Sequence, residues 1–109
     1  MIEISDLHSK RLYKITLSKH SVRGNHYHNE QIEDFFVNSG YVYFLLVNKD
    51  NLDIIYKLKL NKNEKIKILP NIIHTLVNDF NNNEPEIIIS STNEYIKNIV
   101  LDTIYINIV

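Results

Sequence analysis

Two histidines one residue apart, His26 and His28, carry the densest chemistry in this sequence, together with Glu33 and the distant His74. In an extended strand, residues two apart point to the same side, so the imidazoles of His26 and His28 can converge on one point. Glu33 lies too far along a straight strand to share that point and must return after a bend or on a neighbouring strand. His74 is available much later, in Ile-Leu-Pro-Asn-Ile-Ile-His-Thr-Leu-Val-Asn. Three histidines and a carboxylate on a β scaffold admit two readings. They suit a divalent metal such as Zn, Mn, Fe or Ni, among which geometry rather than raw affinity selects. They also suit a pocket of acids and bases, because histidine changes charge near neutral pH.

Arg23 is one of two arginines in a lysine-rich chain, and its fork can grip a phosphate through two parallel hydrogen bonds. Tyr41, Tyr43 and Tyr56 are candidates by position alone for a phenol that returns a proton, each reading first as a core or rim aromatic, and Tyr43 is the one expected to bind substrate. His8 and His20 read as solvent-facing without a role. Asn78 reads as a turn residue or a side-chain hydrogen-bonding group.

These residues need strands to hold them. From Arg11 to Ser18 the pattern alternates, with Tyr13, Ile15 and Leu17 on one face, as in a half-buried strand. Lys19 to Gly24 is expected to be a loop leading into the histidine strand. Ile32 to Asn38 is rich in aromatic and β-branched residues, Ser39-Gly40 reads as a hairpin turn, and Tyr41 to Val47 as the partner strand. Leu52 to Leu60 alternates again, Lys65 to Leu69 is a short strand, and Pro70-Asn71 breaks it before the strand of His74. Glu86 to Ser90 and Tyr105 to Val109 are further strands, and the stretch from Glu94 would also suit a short helix. With two glycines for so many turns, asparagine is expected to take left-handed conformations. Many short strands separated by turn clusters predict an all-β sandwich or barrel.

At 109 residues the chain predicts a single domain, 1–109, without a visible repeat or linker. A formal charge of −1 gives no basic face, so no nucleic acid partner is expected. Without cysteine there is neither a disulfide framework nor thiolate ligation. Charges interrupt the first residues, which do not read as a signal peptide, and apolar runs such as Ile87-Ile88-Ile89 are too short to span a bilayer. A cytoplasmic protein with no membrane partner is the expectation.

His26-x-His28-x4-Glu33-x6-Gly40 resembles the first motif of the cupin superfamily, and Pro70 with His74-x3-Asn78 resembles the second. Ile72 stands where glycine is usual after the proline, and Glu64 stands where that motif usually begins with glycine. The resemblance covers roughly residues 15 to 90 and implies a single-domain jelly-roll barrel. Arg23-Gly24-Asn25-His26-Tyr27-His28 is similar to the Arg-Gly-x-His segment of enzymes that remodel nucleotide-activated deoxysugars. These are the epimerases of the rhamnose pathway, the ketoisomerases of TDP-4-oxo-6-deoxyglucose, and the cupin domain of capsular polysaccharide assembling proteins. Likeness to the last implies His26, His28, Glu33 and His74 as metal ligands. Likeness to the first two implies His26, His28 and His74 as acid–base groups without metal, with Arg23 near the substrate phosphates. The expected activity is an isomerase or epimerase of a nucleotide-linked 4-keto-6-deoxysugar in surface polysaccharide or glycan biosynthesis. It would act as a homodimer, with a divalent metal as its one possible cofactor and no organic one. The alternative is a metal- or sugar-binding cupin without catalysis.

Overall fold

The structure, a computed structural model, describes residues 11–78, 83–91 and 103–106. They form nine strands: β1 (Arg11–Thr16), β2 (Ser21–His28), β3 (Glu33–Ser39), β4 (Tyr41–Asn48), β5 (Tyr56–Asn61), β6 (Lys65–Ile68), β7 (Ile72–Asn78), β8 (Glu86–Ser91) and β9 (Thr103–Tyr105). One sheet runs β1-β8-β3-β6 and the other β5-β4-β7-β2-β9. Every pairing is antiparallel. With β9 set aside, this strand order is that of a jelly roll, two Greek keys folded into facing sheets. No strand pairing joins the two sheets among the described residues, so the predicted barrel is a pair of packed sheets.

Period-two alternation builds the core. Ile15 and Leu17, Phe35 and Val37, Val42 and Phe44, Leu76, and Ile87 and Ile89 all turn inward and pack together. Phe35 and Phe44 meet edge to face across the sheets with ring centroids 5.2 Å apart, a geometry that adds to the burial of both rings. Asparagine does take the left-handed positions, at Asn25, Asn63 and Asn71.

Three expectations change. Ser39-Gly40 is not a hairpin: β3 pairs with β6 and β8, and β4 with β5 and β7, so the turn carries the chain from one sheet to the other. Asn83 explains this. Its Nδ2 donates to the Tyr41 carbonyl (2.7 Å) and its Oδ1 accepts from the Tyr41 N–H (3.2 Å), occupying the groups a hairpin partner would use. The histidine strand begins at Ser21 rather than after Gly24, because Ser21 to Gly24 already pair with β7. The strand expected from Leu52 starts only at Tyr56, opposite Leu46, and Leu52, Ile54 and Ile55 remain exposed. The tail from Glu94 to Val100, His8 and the end of the final strand lie outside the described residues.

Candidate functional site

β2, β3 and β7 bring the four residues of interest to one place. His26 lies opposite His74 in the β2–β7 ladder, and Glu33 opens β3 in the facing sheet. One donor atom from each of His26, His28, Glu33 and His74 lies within 4.8 Å of the others, close to the spacing of ligands that share one transition-metal ion. His28, Glu33 and His74 are buried and His26 is half-buried. The rings of His26 and His74 meet edge to face at 4.5 Å, and those of His26 and His28 at 4.9 Å.

Hydrogen bonds fix the ring orientations. The Gln31 amide donates to His28 Nδ1 (3.1 Å), and His28 Nε2–H then donates to Glu33 Oε1 (2.8 Å). His74 Nδ1–H donates to the Ile72 carbonyl (3.0 Å). That leaves the His74 Nε2 lone pair 3.0 Å from Glu33 Oε1, at a distance of contact but outside hydrogen-bond geometry. Two lone-pair atoms so close need a shared proton or a shared cation between them. His26 Nδ1 and Ser91 Oγ are likewise buried without a partner, and Ser91 is opposite Glu33 in the β3–β8 ladder. The cluster therefore fits a divalent transition metal on two counts, its donor set and its unpaired buried atoms.

Electrostatics favour neutral His26 and ionised Glu33. Burial first, then the neighbouring His74 and His28, push the His26 imidazole down from its ordinary 6.5 to about 4. Burial opposes the charge on Glu33, but the hydrogen bond from His28 and the contact with His74 outweigh it and pull the carboxyl from 4.5 to about 2. Both shifts make the unfolded chain the stronger proton binder. The His26 contribution is complete above pH 6.5 and fades as the pH falls towards 4; that of Glu33 is complete above 4.5 and fades towards 2. The metal-free protein is thus expected to lose stability continuously as the pH drops from about 6.5 to about 2, measurable as a falling urea midpoint. A midpoint that stays flat from pH 6.5 to pH 4 contradicts the burial of a neutral His26.

The cluster borders a small cavity of about 70 Å³ between the sheets, lined also by Arg23, Tyr13, Ile15, Phe35 and Ile89. Arg23 is exposed at its rim, on the histidine side. Tyr43 is not there. It alternates with Val42 and Phe44, which point into the core, so its ring lies on the outer face of β4 with Lys57 Nζ 4.6 Å from its centroid. Tyr41 shares that face beneath Lys59. Tyr56 faces a separate, mainly apolar cavity of about 550 Å³ beside Leu46, Ile68 and Leu69. Two phenols that the spacing did not single out lie at the site: Tyr13, which lines the cavity, and Tyr105, whose ring is 5.5 Å from that of His26. A tyrosine in each terminal strand was visible in the sequence, but not which strands would flank β2. Asn78 is fully buried and donates to the carbonyls of Ser18 (2.9 Å) and Asn83 (2.6 Å), a structural role as expected. His20 is exposed.

The fold recurs in solved structures. Capsular polysaccharide assembling protein CapF from Staphylococcus aureus superposes with a TM-score of 0.78 at 19% identity, over 90% of this chain and 28% of that one. The sugar 3,4-ketoisomerase QdtA from Thermoanaerobacterium thermosaccharolyticum, in complex with TDP, gives 0.71 at 23% identity over 86% of this chain and 64% of that one. The chain has the cupin fold. The TDP-fucose-3,4-ketoisomerase WlaRA from Campylobacter jejuni matches with a TM-score of 0.69 at 19% identity, over 87% of this chain and 66% of that protein. The chain thus spans little more than a quarter of CapF and about two thirds of each ketoisomerase. No protein-family model and no curated protein matches its sequence. Among the described residues no helix is long and apolar enough to cross a membrane.

Proposed function

We propose that this cupin is an isomerase or epimerase of a nucleotide-linked 4-keto-6-deoxysugar in polysaccharide or glycan biosynthesis. One observation carries the reading: a neutral, half-buried His26 with an unpaired Nδ1 borders the same cavity as an exposed Arg23. The fold similarity supports it, since QdtA has been solved with TDP-4-keto-6-deoxyglucose. Arg23 binds the diphosphate and presents the sugar at the rim, because about 70 Å³ is too small to admit a whole sugar ring. His26, unprotonated at neutral pH, takes the proton from the carbon beside the ketone, leaving an enediolate. Tyr105 or Tyr13 returns a proton. In an isomerase it goes to the former carbonyl carbon, with the hydroxyl proton of the neighbouring carbon passing to the former carbonyl oxygen as the new ketone forms. In an epimerase it goes to the opposite face of the same carbon. The proton on His26 then restores the phenol. Glu33 holds the rings of His28 and His74 in place. A divalent metal held by His26, His28, Glu33 and His74 would supply Lewis-acid stabilisation of the enediolate oxygen. The proposed protein is a cytoplasmic homodimer whose single cupin domain fills residues 1–109. Exposed apolar side chains on the sheet edges, Leu12 in β1 and Tyr105 in β9, support the pairing of copies.

A non-catalytic metal-binding cupin is the second reading, favoured by the small cavity, which has room for an ion and a few waters. The two are separated by incubation with TDP-4-keto-6-deoxyglucose in deuterated water, followed by NMR. The enzyme reading expects deuterium at the carbon beside the ketone, and a loss of at least ~100-fold in exchange rate in His26→Ala, the typical contribution of a general base. No exchange by the wild-type protein, with or without added metal, overturns it.

A further inference from the structure

Arg23 and His26 are three residues apart, so on a regular strand they would point to opposite faces of the sheet. They do not. Arg23 is opposite Leu76 and His26 is opposite His74, and Leu76 and His74 both turn inward from β7. The ladder register shifts between Gly24 and His26, so Asn25 is the extra residue of a β-bulge. Before the bulge Arg23 faces inward; after it, His26 and His28 do. This one inserted residue brings an arginine and the histidines to a single cavity.

The bulge has a fastening outside that cavity. Gly24 has φ +115° and Asn25 φ +57°, both in the left-handed region. The Asn25 N–H donates to Thr75 Oγ1 (3.2 Å), and the Thr75 hydroxyl donates to Asn25 Oδ1 (3.0 Å). Thr75 is fully buried, and as the residue between His74 and Leu76 it faces the outer side of β7, away from the cavity. It is also the lone hydroxyl within the run Ile72 to Val77, where a valine of the same shape would satisfy strand propensity and packing.

We propose that Thr75 is a positioning residue: by clasping Asn25 across the ladder it locks the bulge, and so holds Arg23 towards the cavity as an anion-binding group. The role assigned to the anion rests on the nucleotide-sugar reading above; the orientation of Arg23 does not. Removing the hydroxyl takes away this pair of hydrogen bonds, so the bulge loses its side-chain tie to β7 while the Asn25 carbonyl still accepts from the Ile106 N–H (2.8 Å) on the β9 side.

The test compares the wild-type protein with Arg23→Ala, Thr75→Val and Thr75→Ser. Calorimetry with TDP reads anion binding. Nuclear Overhauser contacts from the Arg23 side chain to the Ile15 and Ile89 methyls read its orientation. The expected result is a roughly tenfold weaker TDP affinity in both Arg23→Ala and Thr75→Val, about the worth of a hydrogen bond to a charged group. Thr75→Ser, which keeps the hydroxyl, is expected to restore it. Zinc affinity in Thr75→Val is expected to change by less than about threefold, because His26 remains paired with both β7 and β9. A Thr75→Val protein that melts lower but keeps wild-type TDP affinity and the Arg23 contacts overturns the proposal, since the hydroxyl is then only structural. If the wild-type protein binds no TDP, the nucleotide-sugar reading fails, and the Arg23 contacts alone decide: lost in Thr75→Val and regained in Thr75→Ser they support the clasp, unchanged they overturn it.

Discussion

Saturating the protein with Zn²⁺ or Mn²⁺ is expected to raise its melting temperature by roughly 10 °C, and Glu33→Gln is expected to abolish most of that rise. The magnitude follows from mass action: a ligand at a hundred times its dissociation constant adds about 2.7 kcal/mol to a fold that alone can bind it. In a domain of this size each kcal/mol moves the melting point by about 4 °C. The reason to expect binding is local. Glu33 Oε1 is in contact with two imidazole nitrogens, and only one of these contacts, from His28, has hydrogen-bond geometry. His26, His28, Glu33 and His74 would hold a cation, whose charge would offset the lone-pair contact between Glu33 and His74. Glutamine keeps the size of Glu33 but removes its charge, so the loss of affinity is expected to exceed about 100-fold, more than an outer-shell partner typically costs. The apo form of Glu33→Gln is expected to keep the wild-type fold, because the amide oxygen still accepts from His28. Thermal melts with and without chelator check both statements. Equal melting points for loaded and chelated wild-type protein sink the metal reading and leave the histidines as acid–base groups.

The fourfold cluster was legible in the sequence because its spacing follows the period of a strand. His26 and His28 share a face whatever happens upstream, and the resemblance placed Glu33 and His74 beside them. The features that eluded sequence reasoning depend on a single residue of register or on distant partners. Tyr43 reads by position as a substrate-binding candidate or a rim aromatic, and one step of alternation from Phe44 puts it on the outer face. Ser39-Gly40 has the composition of a hairpin turn, but the strand pairing is decided by Asn83, more than 40 residues away, which takes both backbone groups of Tyr41. The inward direction of Arg23 depends on a bulge that Gly24-Asn25 permits but does not announce, since glycine and asparagine mark turns equally well. Tyr105 reaches His26 only because β9 extends the sheet beyond β2. Local patterning thus specified which residues face together within one strand, and long-range pairing specified which strands meet.

Gly24→Ala is expected to destabilise the protein by about 2–4 kcal/mol and to disable the site in whatever fraction still folds. The backbone at Gly24 has φ +115°, a conformation that alanine adopts only with strain. The added Cβ would also stand 2.5 Å from the His74 carbonyl oxygen and 3.2 Å from the Thr75 Cα. Both atoms are main chain of the paired strand, so neither can rotate away as a side chain does. Relief requires β2 to part from β7 at the residue that carries His74, or the bulge to flatten and turn Arg23 outward. Either movement separates groups that the site needs together. Gly40→Ala supplies the comparison. Its φ is +73° and its Cβ would meet Asn83 Oδ1 at 2.6 Å and the Pro85 Cα at 3.0 Å, so it too is expected to lower the melting point. Gly40 lies at the crossing between the sheets and touches none of the four clustered residues, so metal affinity per folded molecule is expected to remain at the wild-type level there and to fall in Gly24→Ala. Equal metal affinity in the two variants contradicts a parting of β2 from β7 at His74, and leaves flattening of the bulge, with Arg23 turned outward, as the way the strain is relieved.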